Sequence, residues 1–141
     1  MQDFLIKITP SLIGVPLGLL SYYFIKLWME PYFEYEKLRA KINADLFYFA
    51  NAVEIDMTDK ESLLYKKNIE RCDTFRRYAA DLLALYPLLP AWHRTQNWEV
   101  DEHPEKAVTQ LLKYANAPFA NLVREAEQEI SVLLKLPKIP F

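Results

Sequence analysis

Two histidines and one cysteine are the residues of this chain best suited to metal binding or nucleophilic catalysis. His93 and His103 stand ten residues apart, with Asp101 and Glu102 beside them, and imidazole plus carboxylate is an ordinary ligand set for a divalent metal. The spacing, however, matches neither a His-x3-His pair nor an HExxH helix, where i,i+4 placement turns both rings to one face. His103 reads more simply as a residue near a helix N-terminus. Cys72 falls on an apolar helical face with no histidine near it in sequence to take its proton, so it reads as a small core residue. There is no nucleophile elbow. The only glycines are Gly14 and Gly18, both in one apolar run, which excludes a glycine-rich phosphate cradle elsewhere in the chain. No catalytic, cofactor-binding or metal-binding residue is assigned, no cofactor is expected, and the chain is not expected to be an enzyme.

Charge gives the next restriction. Lys66, Lys67, Arg71, Arg76 and Arg77 form a basic cluster that suits anionic headgroups or an acidic partner, but Glu61, Glu70 and Asp73 interrupt it, which favours a solvated face. Setting Lys7, Lys26 and Asp3 aside from the 17 basic and 19 acidic residues leaves 15 against 18, a slightly acidic body that argues against nucleic acid as the main partner. Cys72 has no second cysteine to pair with, which agrees with a reducing compartment.

The element that must position everything else is the uncharged stretch from Ile8 to Ile25, ITPSLIGVPLGLLSYYFI, bracketed by Lys7 and Lys26. As a helix its 18 residues span about 27 Å, close to the hydrocarbon thickness of a bilayer. Tyr22, Tyr23 and Trp28 gather at one end as an interfacial belt would. This predicts a transmembrane helix. The KLWMEPYFEY that follows offers no small-x-small cleavage site, so the segment is expected to be retained rather than removed as a signal peptide. Lys26, Lys37, Arg39 and Lys41 outnumber the basic groups on the other side, which predicts a cytoplasmic body. Within the span, Gly14 and Gly18 have GxxxG spacing, and Ser11 and Ser21 extend the small face. That face either mediates self-association or reflects ordinary transmembrane glycine content, with Pro16 marking a kink.

Beyond the span, Pro31 predicts a bend near residue 30. A long amphipathic helix is expected from Tyr32 to about Ile55, its apolar face being Tyr35, Leu38, Ile42, Leu46, Phe49 and Val53. Thr58 and Glu61 match a capping box that opens a second helix, with face Tyr65, Ile69, Cys72, Phe75, Ala79, Leu82 and Tyr86, stopping before Pro87. The two form an antiparallel hairpin. The stretch from Pro87 to His103 reads as an irregular connection. Its Leu88, Leu89, Trp92 and Trp98 are candidate membrane-interface or partner contacts, together with Tyr22, Tyr23 and Trp28. A third helix is expected from Pro104, burying Ala107, Leu111, Leu112 and Ala115. A fourth is expected from Pro118, burying Phe119, Leu122, Val123, Ala126, Ile130 and Leu133.

The expected fold is all-α, with an N-terminal transmembrane helix followed by a helical hairpin and two further helices in a small bundle. The divisions are an anchor over residues 1–30, a helical domain over 31–136 and an extended tail over 137–141. The order of span, YEKLRAKINADLFYFAN (Tyr35 to Asn51), LPAW (Leu89 to Trp92) and HPEKAVTQLLKYAN (His103 to Asn116) resembles a set of small, uncharacterised bacterial single-pass membrane proteins. The resemblance implies a bacterial inner-membrane setting and carries over no catalytic residue. The functional expectation is a membrane-anchored helical protein-interaction module in contact with the lipid bilayer. Its partner would be an unidentified protein or a further copy of the chain as a homo-oligomer. The alternative is a membrane-active effector whose assembled spans perturb the bilayer; Thr9, Ser11 and Ser21 offer little polar stripe for a pore, which favours the anchor.

Overall fold

The computed structural model describes residues 14–50, 62–91 and 103–137. All regular structure among them is helical, in four principal helices: α1 (Glu30–Phe49), α2 (Leu63–Leu85), α3 (Pro104–Asn116) and α4 (Ala120–Leu133). Residues 14–24 are also helical and run through a π turn, Ile25–Met29, directly into α1. No non-helical residue separates the arm from α1, so the bend expected at Pro31 takes another form. Pro31 has no N–H to give to the preceding turn, and just before it the ladder widens, the Glu30 N–H reaching back five residues to the Ile25 carbonyl. The wider turn absorbs the proline without breaking the helix.

α1 buries Tyr35, Leu38, Ile42, Leu46 and Phe49, the stripe that the 3–4 spacing predicts; Val53 lies outside the described residues. α2 begins at Leu63, with the Ser62 hydroxyl accepting the Tyr65 N–H at 3.1 Å. The capping residues expected upstream, Thr58 to Glu61, lie outside the described residues. Contacts along the hairpin fix its sense: the Lys67 ammonium sits over the Tyr48 ring, Phe49 meets Phe75, and the Tyr78 hydroxyl donates to Asp45 at 2.5 Å. Position numbers rise along α2 as they fall along α1, so the two are antiparallel, as expected. A 3-10 turn, Tyr86–Leu88, extends α2 before Leu89 turns inward.

α3 packs along α2 more extensively than any other helix pair, and α4 packs antiparallel on α3. The α3–α4 hairpin is closed by the His103 N–H on the Leu133 carbonyl at 2.9 Å and by Lys113 to Glu125 at 3.0 Å. One apolar core results, drawing Phe75 and Leu82 from α2, Leu111 and Tyr114 from α3, and Val123 and Ile130 from α4. Three expected core residues are placed otherwise. Ile69, Leu112 and Phe119 are exposed; Asn68 and Arg71 take the inner face of α2 beside Ile69, and Tyr114, one turn from Leu111, is buried in the place given to Leu112.

The end of α4 is a Schellman closure. The Leu136 N–H bonds the Ser131 carbonyl at 2.9 Å and the Lys135 N–H the Val132 carbonyl at 3.2 Å, with Lys135 in the left-handed region at φ 47°. Leu134 and Leu136 fold back into the core, which reaches the end of the expected helical domain at Leu136. Residues 138–141 lie outside the described residues.

Candidate functional site

The largest feature without cover is the arm. From Val15 to Trp28 every large apolar side chain is exposed, from 70% at Leu20 to 50% at Trp28, on a helix that no other element packs against closely. Burial of such a run in an apolar phase is what the hydrophobic effect favours, and no part of the described chain provides it. A Cβ built on Gly14 or Gly18 meets nothing within 4 Å, so close backbone approach by another helix is open at both. Ser21 spends its hydroxyl on the Leu17 carbonyl at 2.8 Å, one turn back, leaving the small face without a protruding donor. Ser11 lies outside the described residues.

At the lower edge of this arm the aromatic residues behave as a belt. Tyr22 and Tyr23 pack edge to face at 5.7 Å between ring centroids, and Phe24 packs against Trp28 at 5.5 Å. Lys26 extends back one turn, its ammonium 3.3 Å from the Tyr22 hydroxyl and 5.6 Å from that ring's centroid. The ammonium is thus drawn back along the arm, toward the apolar run rather than toward the body. Among the described residues no helix is long and apolar enough to cross a membrane. The transmembrane helix expected over residues 8–25 is therefore not supported; residues 8–13 lie outside the described residues.

The second group of candidate contacts separates. Leu89 is 1% exposed and belongs to the core, so it offers nothing to lipid or a partner; the adjacent Pro90 is buried as well. The turn Tyr86–Leu88 is what drives it inward, by reversing the side-chain direction between consecutive leucines. Leu88 remains 60% exposed. Trp92 and Trp98 lie outside the described residues. Leu38 and Leu85 line one groove of the antiparallel hairpin, which puts Leu88, three residues further on, about level with Glu34 of α1. From Trp28 to Glu34 the helix rises about 9 Å, so the exposed end of α2 returns toward the arm but stops short of its aromatic belt.

Polar chemistry in the body serves helix ends. The Arg71 guanidinium is 2% exposed and donates to the Tyr114 carbonyl, while its Nε and Nη2 both donate to Asn68 Oδ1 at 3.1 and 2.9 Å. Its Nη2 also lies 3.9 Å from Cys72 Sγ, and Cys72 itself is only half-buried. Arg71 was expected on the solvated basic face and is instead a core residue. The cluster disperses further: Arg76 donates to Asn116 Oδ1 at 2.7 Å, and Lys67 is committed to Tyr48. Arg39 donates to the Leu134 and Lys135 carbonyls at 2.9 and 3.1 Å and pairs with Glu36 at 2.7 Å. Cationic donors on the last carbonyls of a helix meet its negative dipole end.

Burial pushes the Tyr114 hydroxyl well above its usual range, an effect that the Arg71 charge only partly opposes. Burial likewise raises Tyr78, assisted by its bond to Asp45, and raises the Glu127 carboxyl. Among the described residues Tyr114 Oη has no hydrogen-bond partner, nor does Gln110 Oε1 one turn earlier. His103 precedes α3, its Nδ1 3.5 Å from Glu105; His93, Asp101 and Glu102 lie outside the described residues. Among the described residues no cluster of three or more His, Cys, Asp or Glu side chains assembles. No protein-family model, curated protein or solved structure matches this chain.

Proposed function

We propose that this chain is a membrane-anchored helical interaction module, held at a bacterial inner membrane by its N-terminal helix with the four-helix body on the cytoplasmic side. The observation that carries the reading is the uncovered apolar arm that continues without interruption into α1, with tyrosines and Trp28 at its body end. The lysine and arginine excess on the body side supports the orientation. The resemblance to small single-pass bacterial proteins supports the setting. A body whose polar interior groups serve helix capping, rather than converging on a ligand, supports interaction over catalysis as its role.

Partition of the full chain between membrane and aqueous fractions after carbonate extraction tests the anchor. The parent chain is expected in the membrane pellet. Leu17→Arg with Leu20→Arg should move it to the aqueous fraction, since each arginine at mid-span costs about 2.5 to 3.5 kcal/mol of insertion. A parent chain that is folded and fully aqueous would refute the reading. Orientation is read on a Cys72→Ala background with Lys66→Cys, which should resist an impermeant maleimide in intact cells and react after lysis.

A further inference from the structure

A groove of about 430 Å³ runs between α1 and α2. Leu38 and Leu85 form its floor, Lys37 and Lys41 stand on the α1 rim, Asp81 on the α2 rim, and Glu34 at the end nearer the arm. The four charged side chains are exposed, and none of them makes an ion pair among the described residues. The rims thus have opposite sign: basic on α1 at the level of Lys37 and Lys41, acidic on α2 at the same level.

We propose that a second copy of this chain covers the groove, related by a two-fold axis parallel to α1. Such an axis sets α1 of each copy against α2 of the other and preserves height along the helices. Lys37 and Lys41 then face Asp81 of the second copy, and the reverse contact forms by symmetry. A groove with one basic and one acidic rim is self-complementary only under this operation; a head-to-tail arrangement gives no closed pair. Opposed charges on paired patches select the partner and its register. The face offered by two helices about 30 Å long is on the order of 600 Å² per copy, near the lower end of stable interfaces, so the dimer is expected to be weak without further contacts. The axis also keeps both arms on one side, as two chains in one bilayer require, although the contact itself does not depend on anchoring.

The test uses the full chain in detergent on a Cys72→Ala background. Chains carrying Lys41→Cys mixed with chains carrying Asp81→Cys should form a disulfide between copies on mild oxidation, whereas Leu83→Cys in place of Asp81→Cys should not. Lys37→Glu with Lys41→Glu should weaken dimerisation about tenfold or more by analytical ultracentrifugation, Asp81→Lys alone should also weaken it, and the three together should restore it. A parent chain that stays monomeric at every concentration overturns the proposal. So does equal cross-linking at Leu83→Cys, or a folded triple variant with no recovery, which would leave a heterologous protein as the occupant. Membrane partition of the same variants should not change, so failure here is separable from failure of the anchor.

Discussion

The Arg71 guanidinium lies over the Tyr114 ring, 5.0 Å from its centroid, and also donates to that residue's own carbonyl. The second contact follows from the covalent chain. In a continuing helix the Tyr114 carbonyl would accept the N–H of residue 118, but that residue is a proline and has none. α3 ends at Asn116 with this carbonyl buried and orphaned, and a buried carbonyl without a donor is costly. Arg71 supplies the donor from α2, while Asn68 accepts the rest of the guanidinium. The pair thereby ties the two most extensively packed helices at a fixed register. Arg39 does the same for the α4 terminus from α1.

Arg71→Ala should therefore destabilise the body by about 3 kcal/mol, since it leaves both Tyr114 O and Asn68 Oδ1 unpaired and opens a cavity. Arg71→Met with Asn68→Leu should recover a large part of that loss, because removing both polar partners avoids the orphaned amide oxygen on α2. Denaturant unfolding of the full chain in detergent, followed by helical circular dichroism, separates the two outcomes. Equal stability of Arg71→Ala and the parent would show that the capping contact contributes nothing.

The sequence made the helices legible and concealed their ends. Tyr35, Leu38, Ile42, Leu46 and Phe49 are spaced by three and four with polar residues between, so their burial follows from periodicity alone. Arg71 and Asn68 share the same inner stripe of α2, but its charge made Arg71 look like surface, because single-sequence patterning has no means of seeing an orphaned carbonyl on another helix. Pro118 was the available signal: it marks where α3 loses a donor. Leu112 and Tyr114 were exchanged because aromatic residues fit either face, and the contact that draws Tyr114 inward, with the Phe75 ring at 4.4 Å between centroids, belongs to another helix. Leu89 was not legible as core because a 3-10 turn reverses direction within two residues.

Lys135 occupies the left-handed position of a Schellman motif, which glycine fills without a Cβ penalty. Its contribution to the clamp is the backbone carbonyl that Arg39 binds, and glycine keeps that group. Lys135→Gly is expected to stabilise the body by about 1 kcal/mol, read as a higher denaturant midpoint with unchanged slope. A loss of stability would mean that the lysine side chain matters more than its backbone conformation.

Glu127 predicts a pH dependence. Burial raises its carboxyl, with Arg124 opposing, so the folded chain holds this proton more tightly than the unfolded chain does. The folded state therefore binds more protons in the window between the unfolded and folded values, and this group's contribution to stability falls as pH rises through it. Above the window the penalty is complete. Glu127→Gln should raise the melting temperature at neutral pH and flatten its decline above the acid range. An unchanged melting curve at neutral pH would show that the carboxylate is solvated well enough in the folded chain to carry no penalty.

The depth of the body relative to the bilayer can be tested with two tryptophans on one axis. Trp28 sits in the aromatic belt at the end of the arm, and Leu88 is exposed in the turn after α2, about level with Glu34 of α1 and so about 9 Å higher along the helix. The headgroup region adds only about 5 to 8 Å beyond the hydrocarbon on each side. With the arm upright, a tryptophan at position 28 should be quenched strongly by lipids brominated near the headgroup, and one introduced by Leu88→Trp should be quenched weakly. Each variant carries Phe at the other tryptophan positions and is checked for helical content. Strong and equal quenching at both sites would mean that the arm and α1 lie along the membrane surface, in which case the π turn would join two parts of an interfacial helix and the upright geometry would fail. The same pair of variants bears on Leu89, which the core holds at 1% exposed. Leu89→Ala should destabilise the body by about 2 to 4 kcal/mol, whereas Leu88→Ala should cost little and lower only whatever membrane contact the quenching reports.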